Sequence, residues 1–284
     1  MMSDIHLHQS AFESFWVSGA LVLTALLYVR EWLRLRRHDH NVKTWRLATF
    51  VLGLSCIWIA TASPLSALDH EMLTAHMVQH LLLMTIAPPL ILFGVPRKSV
   101  AHGLSRRLLQ AITHPAFCWL AAAATLVVWH VPSIFMLGLR SQTWHGMEQA
   151  SFLVTGLLFW WPVIEPSPGN LKWPESSILV YLFLATLPCD ILSGFLVFCD
   201  RVVYPVFLSS PRSFGLSALE DQQCAGALMW TCVTVVYLIA AAVFTMRLLS
   251  PHRSPQRSDD LAIPQFDSRQ IVTGPTDPQR MEAV

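Results

Sequence analysis

Charge is scarce in this chain. Only 13% of its 284 residues are Asp, Glu, Lys or Arg, about half the share of a soluble domain. At the same time 54% are hydrophobic and mean hydropathy is +0.48, so an integral membrane protein is expected. Paired cysteines are missing too. The six Cys at 56, 118, 189, 199, 224 and 232 show no C-x-x-C spacing and no disulfide-rich pattern, which argues against a disulfide scaffold or a thiol redox motif. Most fall inside or at the ends of apolar stretches, where Cys acts as a small hydrophobe. Cys224, close to Asp221, keeps a ligand role open. No nucleophile–base pair and no Gly-rich nucleotide loop stands out, so neither an enzyme nor a nucleic-acid partner is expected. The leader MMSDIHLHQS carries no Lys or Arg, and no small-residue cleavage site follows the first apolar stretch, which argues against a cleavable signal.

What is present is a series of apolar stretches. About 20 such residues span a bilayer, and stretches of that kind run over 12–33, 46–63, 72–94, 116–138, 145–164, 177–199 and 224–248. The expected fold class is all-α: a polytopic membrane helix bundle of about seven transmembrane helices joined by short loops. The chain divides into an extracytoplasmic leader, 1–11, a transmembrane domain, 12–249, and a tail, 250–284. The tail is rich in Pro, Ser, Gln, Asp and Arg, a composition that predicts a disordered cytoplasmic segment. No internal repeat is visible.

Cations are few but uneven. Arg30, Arg34, Arg36, Arg37, Lys43 and Arg46 follow the first stretch; Arg97, Lys98, Arg106 and Arg107 follow the third; Arg247, Arg253 and Arg257 follow the seventh. The alternate segments hold far fewer. Lys and Arg in short loops mark the cytoplasmic side, so the N-terminus is expected outside and the C-terminus inside, an arrangement that seven spans permit.

Against this apolar background the polar residues inside the spans are conspicuous. His76 and His80 lie one helical turn apart and share a face, roughly 6 and 12 Å along the third span. His130, in Trp129-His130-Val131-Pro132, comes about 21 Å along the fourth, near the outer boundary of a ~30 Å core. His145 and Glu148 share a face at the start of the fifth, and Asp221 opens the seventh. Each has an ordinary alternative: His130 satisfying a carbonyl freed by Pro132, Asp221 answering a helix dipole, Asp69, His70 and Glu71 forming a solvated cap. Jointly they predict a cluster from separate spans at one depth. Imidazole suits copper, zinc or iron, a nearby carboxylate ligates or orients it, and Met72 and Met77 would suit Cu(I). The metal ligands expected from this pattern are His76, His80, His130 and His145, with Glu148. A hydrogen-bonded network without metal is the alternative.

At these residues the chain resembles the CtaG family of multi-span cytochrome c oxidase assembly factors. The resemblance rests on HMVQHLLLMTIAPPLILFGVP at 76–96, WHVPSIF at 129–135, WHGMEQASF at 144–152, LLFWWPVIEP at 157–166, Tyr204-Pro205, and DQQCAGALMW at 221–230. These blocks run in the family's order and cover most of 45–245. The resemblance implies a multi-pass protein of the cell inner (cytoplasmic) membrane that partners cytochrome c oxidase subunits and handles copper for the copper-A centre. It places the family's His positions on His76, His80, His130 and His145 and its last acidic position on Asp221, which it adds to the expected ligands. Where this chain has Cys224, the family usually has a small aliphatic residue. A haem-binding membrane electron-transfer protein and a copper transporter are the rival expectations, and nothing in the sequence speaks to oligomeric state.

Overall fold

The computed structural model describes residues 2–38, 43–95, 111–164, 176–210 and 214–249, with side chains from residue 14 onward. The expected tail, 250–284, lies outside the described residues. Every regular element among those residues is helical: α1 (Met2–His38), α2 (Thr44–Ala62), α3 (Leu65–Leu68), α4 (Leu73–Leu81), a π-helical turn (Leu82–Ile86), α5 (Ala87–Gly94), α6 (Pro115–Trp129), α7 (Pro132–Arg140), α8 (Gln142–Ile164), α9 (Ser176–Phe198), a 3-10 turn (Pro205–Leu208) and α10 (Ala218–Leu249). The leader is part of α1.

Five of these helical segments are long and apolar enough to cross a membrane: Ser14–Arg37, Thr44–Leu68, Leu73–Gly94, Ser176–Phe198 and Ala218–Leu249. A sixth arises if the pair α6 and α7 counts as one span, although the two are bent by 77°. The sequence predicts seven, with 116–138 as a single span. The bend has a local cause: Pro132 has no amide hydrogen and disfavours helical geometry in the residue before it. Val131 is accordingly extended, at φ −65° and ψ 125°.

The segment Leu73–Gly94 runs through the middle of the bundle. α2 and α10 pack on it, as does α8; α9 lies between α6 and α10, and α1 leans on α2. Pro88 and Pro89 cannot donate to the carbonyls four residues before them, and the chain accommodates this with the π turn, closed by Ala87 N–H donating to the Leu82 carbonyl. Close helix contact is made through small residues, as lipid-embedded bundles require. A β-carbon on Gly156 would lie 2.7 Å from the Met84 oxygen, and one on Gly226 would lie 2.9 Å from the Ser193 oxygen.

The distribution of polarity is inverted relative to a water-soluble domain. Large apolar side chains such as Phe183, Ile191, Phe195, Leu238 and Ile239 face outward, while Asp69, His76, Gln79, His80, His130, His145, Glu148, Asp221 and Gln222 are buried. Lipid accounts for the first set. The second set needs partners.

Candidate metal centre

His76 and His80 occupy consecutive turns of α4, and both rings turn into the bundle. Their Nε2 atoms stand 2.8 Å apart with the ring planes at 88°. Glu148, one turn after His145 on α8, brings its Oε1 to 3.5 Å from His76 Nε2 and 3.3 Å from His80 Nε2. Its other oxygen, Oε2, lies 3.5 Å from His145 Nδ1. Neither Glu148 oxygen takes part in a hydrogen bond among the described residues, and the residue is 1% exposed. A carboxylate withdrawn from water without donors is costly, and a cation at the point where three imidazole nitrogens and two oxygens meet removes that cost.

A second carboxylate completes the wall. Asp69, in the turn between α3 and α4, is 1% exposed. Its Oδ2 accepts from Gln79 Nε2 at 3.2 Å and lies 3.1 Å from His145 Nε2, while Oδ1 is 3.5 Å from His70 Nε2. Burial pushes the Asp69 carboxyl up, but the hydrogen bond and charge of His145, with His70 and His76 beyond it, outweigh burial and hold it below its usual value. His145 thus sits between two acids, Nε2 toward Asp69 and Nδ1 toward Glu148, with Gln149 Nε2 also 2.8 Å from His145 Nε2. Two sets of three donors converge: His76, His80 and Glu148; and Asp69, His76 and His145, with the ligand atoms of each set within 4.8 Å of one another.

His130 is close but separate. It ends α6, its Nδ1 2.7 Å from the Leu126 carbonyl and its Nε2 3.4 Å from Met77 Sδ. Its ring centre is 6.0 Å from that of His80, and it joins neither set of converging donors. Tyr204 OH donates to the His130 carbonyl at 2.9 Å, which fixes the end of α6.

Asp221 is placed elsewhere. Its Oδ2 accepts from Leu73 N–H at 2.6 Å, and Oδ1 accepts from Thr74 N–H at 3.2 Å and Thr74 Oγ1 at 2.6 Å. Met72, the residue before α4, offers no side-chain cap, so an acid from α10 supplies it. Asp221, expected among the ligands, is in neither set of converging donors: both its oxygens accept from amides at the start of α4. Gln222 beside it accepts from Val203 N–H at 2.7 Å and donates to the Arg201 carbonyl at 3.1 Å. Cys224 is exposed and outside both donor sets.

Sequence reasoning missed three residues. Asp69 reads as a solvated cap, yet it is buried in the turn before α4, where the extended Met72 breaks the helical period that would link it to His76. Gln79 lies inside the His76–His80 block and orients Asp69. Gly138 of α7 leaves room for the acid: a β-carbon there would lie 2.9 Å from Glu148 Oε2.

The family described as cytochrome c oxidase caa3 assembly factor matches residues 26–250. Uncharacterised proteins of Mycobacterium bovis and Mycobacterium tuberculosis are each 23% identical over 265 residues, covering 86% of this chain and 40% of the relative. One from Mycobacterium leprae is 22% identical over 270 residues, covering 87% of this chain and 41% of its own. The chain thus spans about two fifths of the length of the curated relatives it matches. No solved structure matches.

Proposed function

The chain belongs to the cytochrome c oxidase caa3 assembly factor family, and from that premise we propose that it holds copper as cargo for the oxidase, in a cage made by His76, His80, His145 and Glu148. One observation carries this reading: the buried Glu148 carboxylate, without a hydrogen bond among the described residues, has nitrogens of three imidazoles within 3.5 Å of its oxygens. Imidazole and carboxylate together suit a divalent first-row ion, and copper stands highest in that series. Asp69 orients His145 through Nε2, leaving Nδ1 to face the ion, as outer carboxylates do for metal-bound imidazoles. Binding displaces protons from the ligands.

The cage has a path to the surface. The His70 side chain is 48% exposed and lies 3.5 Å from Asp69, with its ring centre 5.9 Å from that of His145. An ion arriving at His70 would meet Asp69, then His145, then Glu148. With the N-terminus outside, as the charge bias predicts, this path opens on the outer face of the cytoplasmic membrane, where an oxidase subunit would collect the ion. The cavity beside the cage measures about 50 Å³, room for a bare ion.

The test is replacement of His76 and His80 together by Ala. Copper in the purified protein and oxidase activity in membranes should both fall to background while the protein still inserts. Unchanged copper and activity would leave a hydrogen-bonded scaffold in place of a metal carrier.

A further inference from the structure

The His130–Met77 pair has a feature the cage does not use. His130 Nδ1 lies 2.7 Å from the Leu126 carbonyl, a distance that requires a proton on Nδ1, because two lone pairs at that separation repel. A neutral ring with its proton on Nδ1 has a bare lone pair on Nε2. That lone pair meets Met77 Sδ at 3.4 Å, and a thioether has no proton to offer. Two acceptors therefore face each other in a buried site, Met77 at 0% exposure and His130 at 5%. Doubly protonated His130 would relieve the contact only by placing an imidazolium among apolar side chains.

A cation satisfies both atoms. Metal–nitrogen and metal–sulfur bonds of about 2.0 and 2.3 Å place two ligands of one ion roughly 3.5 Å apart at a tetrahedral angle, close to the separation seen here. Thioether sulfur selects soft ions, Cu(I) first among the common ones. Both side chains line the small cavity, together with His80 and Met84. His80 belongs to both places: Nε2 faces Glu148, its Nδ1 has no hydrogen-bond partner among the described residues, and its ring stacks on Phe152 with centroids 4.0 Å apart.

We infer that Met77 and His130 form a second metal station, distinct from the cage and selective for Cu(I), with His80 as the group shared between them. The inference rests on copper being the cargo, and it adds a site for the reduced ion beside a cage of imidazole and carboxylate that suits the divalent one.

The experiment uses the full chain in detergent, kept anaerobic, with Cu(I) delivered from a chromogenic chelator and Zn(II) as a separate probe of the cage. Wild type should show a sulfur neighbour of copper at about 2.3 Å by X-ray absorption. Met77→Leu, a nearly volume-conserving change, should lose that neighbour and bind Cu(I) at least tenfold more weakly, with Zn(II) stoichiometry unchanged. Glu148→Gln should do the reverse, losing Zn(II) and keeping the copper–sulfur signal. Copper bound by wild type through nitrogen and oxygen alone, or with equal affinity in Met77→Leu, would overturn the second station while leaving the cage standing. Zn(II) binding unaffected by Glu148→Gln would instead overturn the cage, and the sulfur signal would then decide the second station by itself.

Discussion

Asp221 carries hydrogen bonds that its own helix does not need. Its two oxygens reach the Leu73 and Thr74 amides on α4, so it holds the first turn of the helix that bears His76 and His80. Capping side chains contribute about 0.5–2 kcal/mol, and hydrogen bonds to charged groups about 1.5–3 kcal/mol. Asp221→Ala should therefore cost about 2 kcal/mol, read as a lower melting temperature of the purified protein; an unchanged melt would mean that the α4 amides find other acceptors. The sequence suggests two roles for Asp221, a ligand or an answer to its own helix dipole. Its actual partner is a helix 148 positions away in the chain, and no local pattern points there. His76, His80, His145 and Glu148 were legible because helical spacing alone puts each pair on one face. Asp69 was not legible, since its burial depends on what packs over the turn that carries it.

Elements are positioned here by proline and glycine. The π turn before Pro88 brings the Met84 backbone against Gly156 of α8, and α8 carries His145 and Glu148 toward α4. A methyl group at Gly156 would meet backbone atoms, Met84 O at 2.7 Å and Met84 Cα at 2.9 Å, which cannot step aside as a flexible side chain would. Gly156→Ala should cost about 1–3 kcal/mol, the range of overpacked cores, and weaken copper retention by displacing Glu148. Gly194 has nothing within 4 Å of such a methyl, so Gly194→Ala serves as the tolerated control. Equal melting temperatures for the two variants would show that α8 and the π turn are not in close contact. At α6 the same kind of residue acts differently. Pro132 divides the expected span, 116–138, into two helices bent by 77°. The carbonyl four residues before it, that of Val128, accepts from Val131 N–H instead, while the His130 ring meets the Leu126 carbonyl through Nδ1.

For the whole molecule the governing quantity is where charge is absent. The apolar stretches at 46–63, 72–94, 177–199 and 224–248 correspond to helices of membrane-crossing length, and 12–33 lies within α1. α8 is 23 residues long but opens with Gln142-Thr143-Trp144-His145-Gly146-Met147-Glu148, polar positions used inside the bundle, and it falls outside the five. Orientation follows from the basic clusters: a fluorescent reporter fused after residue 284 should light up in the cytoplasm, and an alkaline phosphatase fused there should stay inactive. The opposite pair of results would turn the bundle over and place His70 on the cytoplasmic side.

Hydropathy and helical period are properties of neighbouring residues. The sequence by itself therefore determined that this is an all-helical membrane protein, which residues share a helix face, and, through its motif blocks, the family to which it belongs. Which faces meet depends on the rotation and crossing of helices far apart in the chain, and only their packing decides that. The tertiary structure brought Asp69 into the cluster, assigned Asp221 to the start of α4, and set His130 beside Met77.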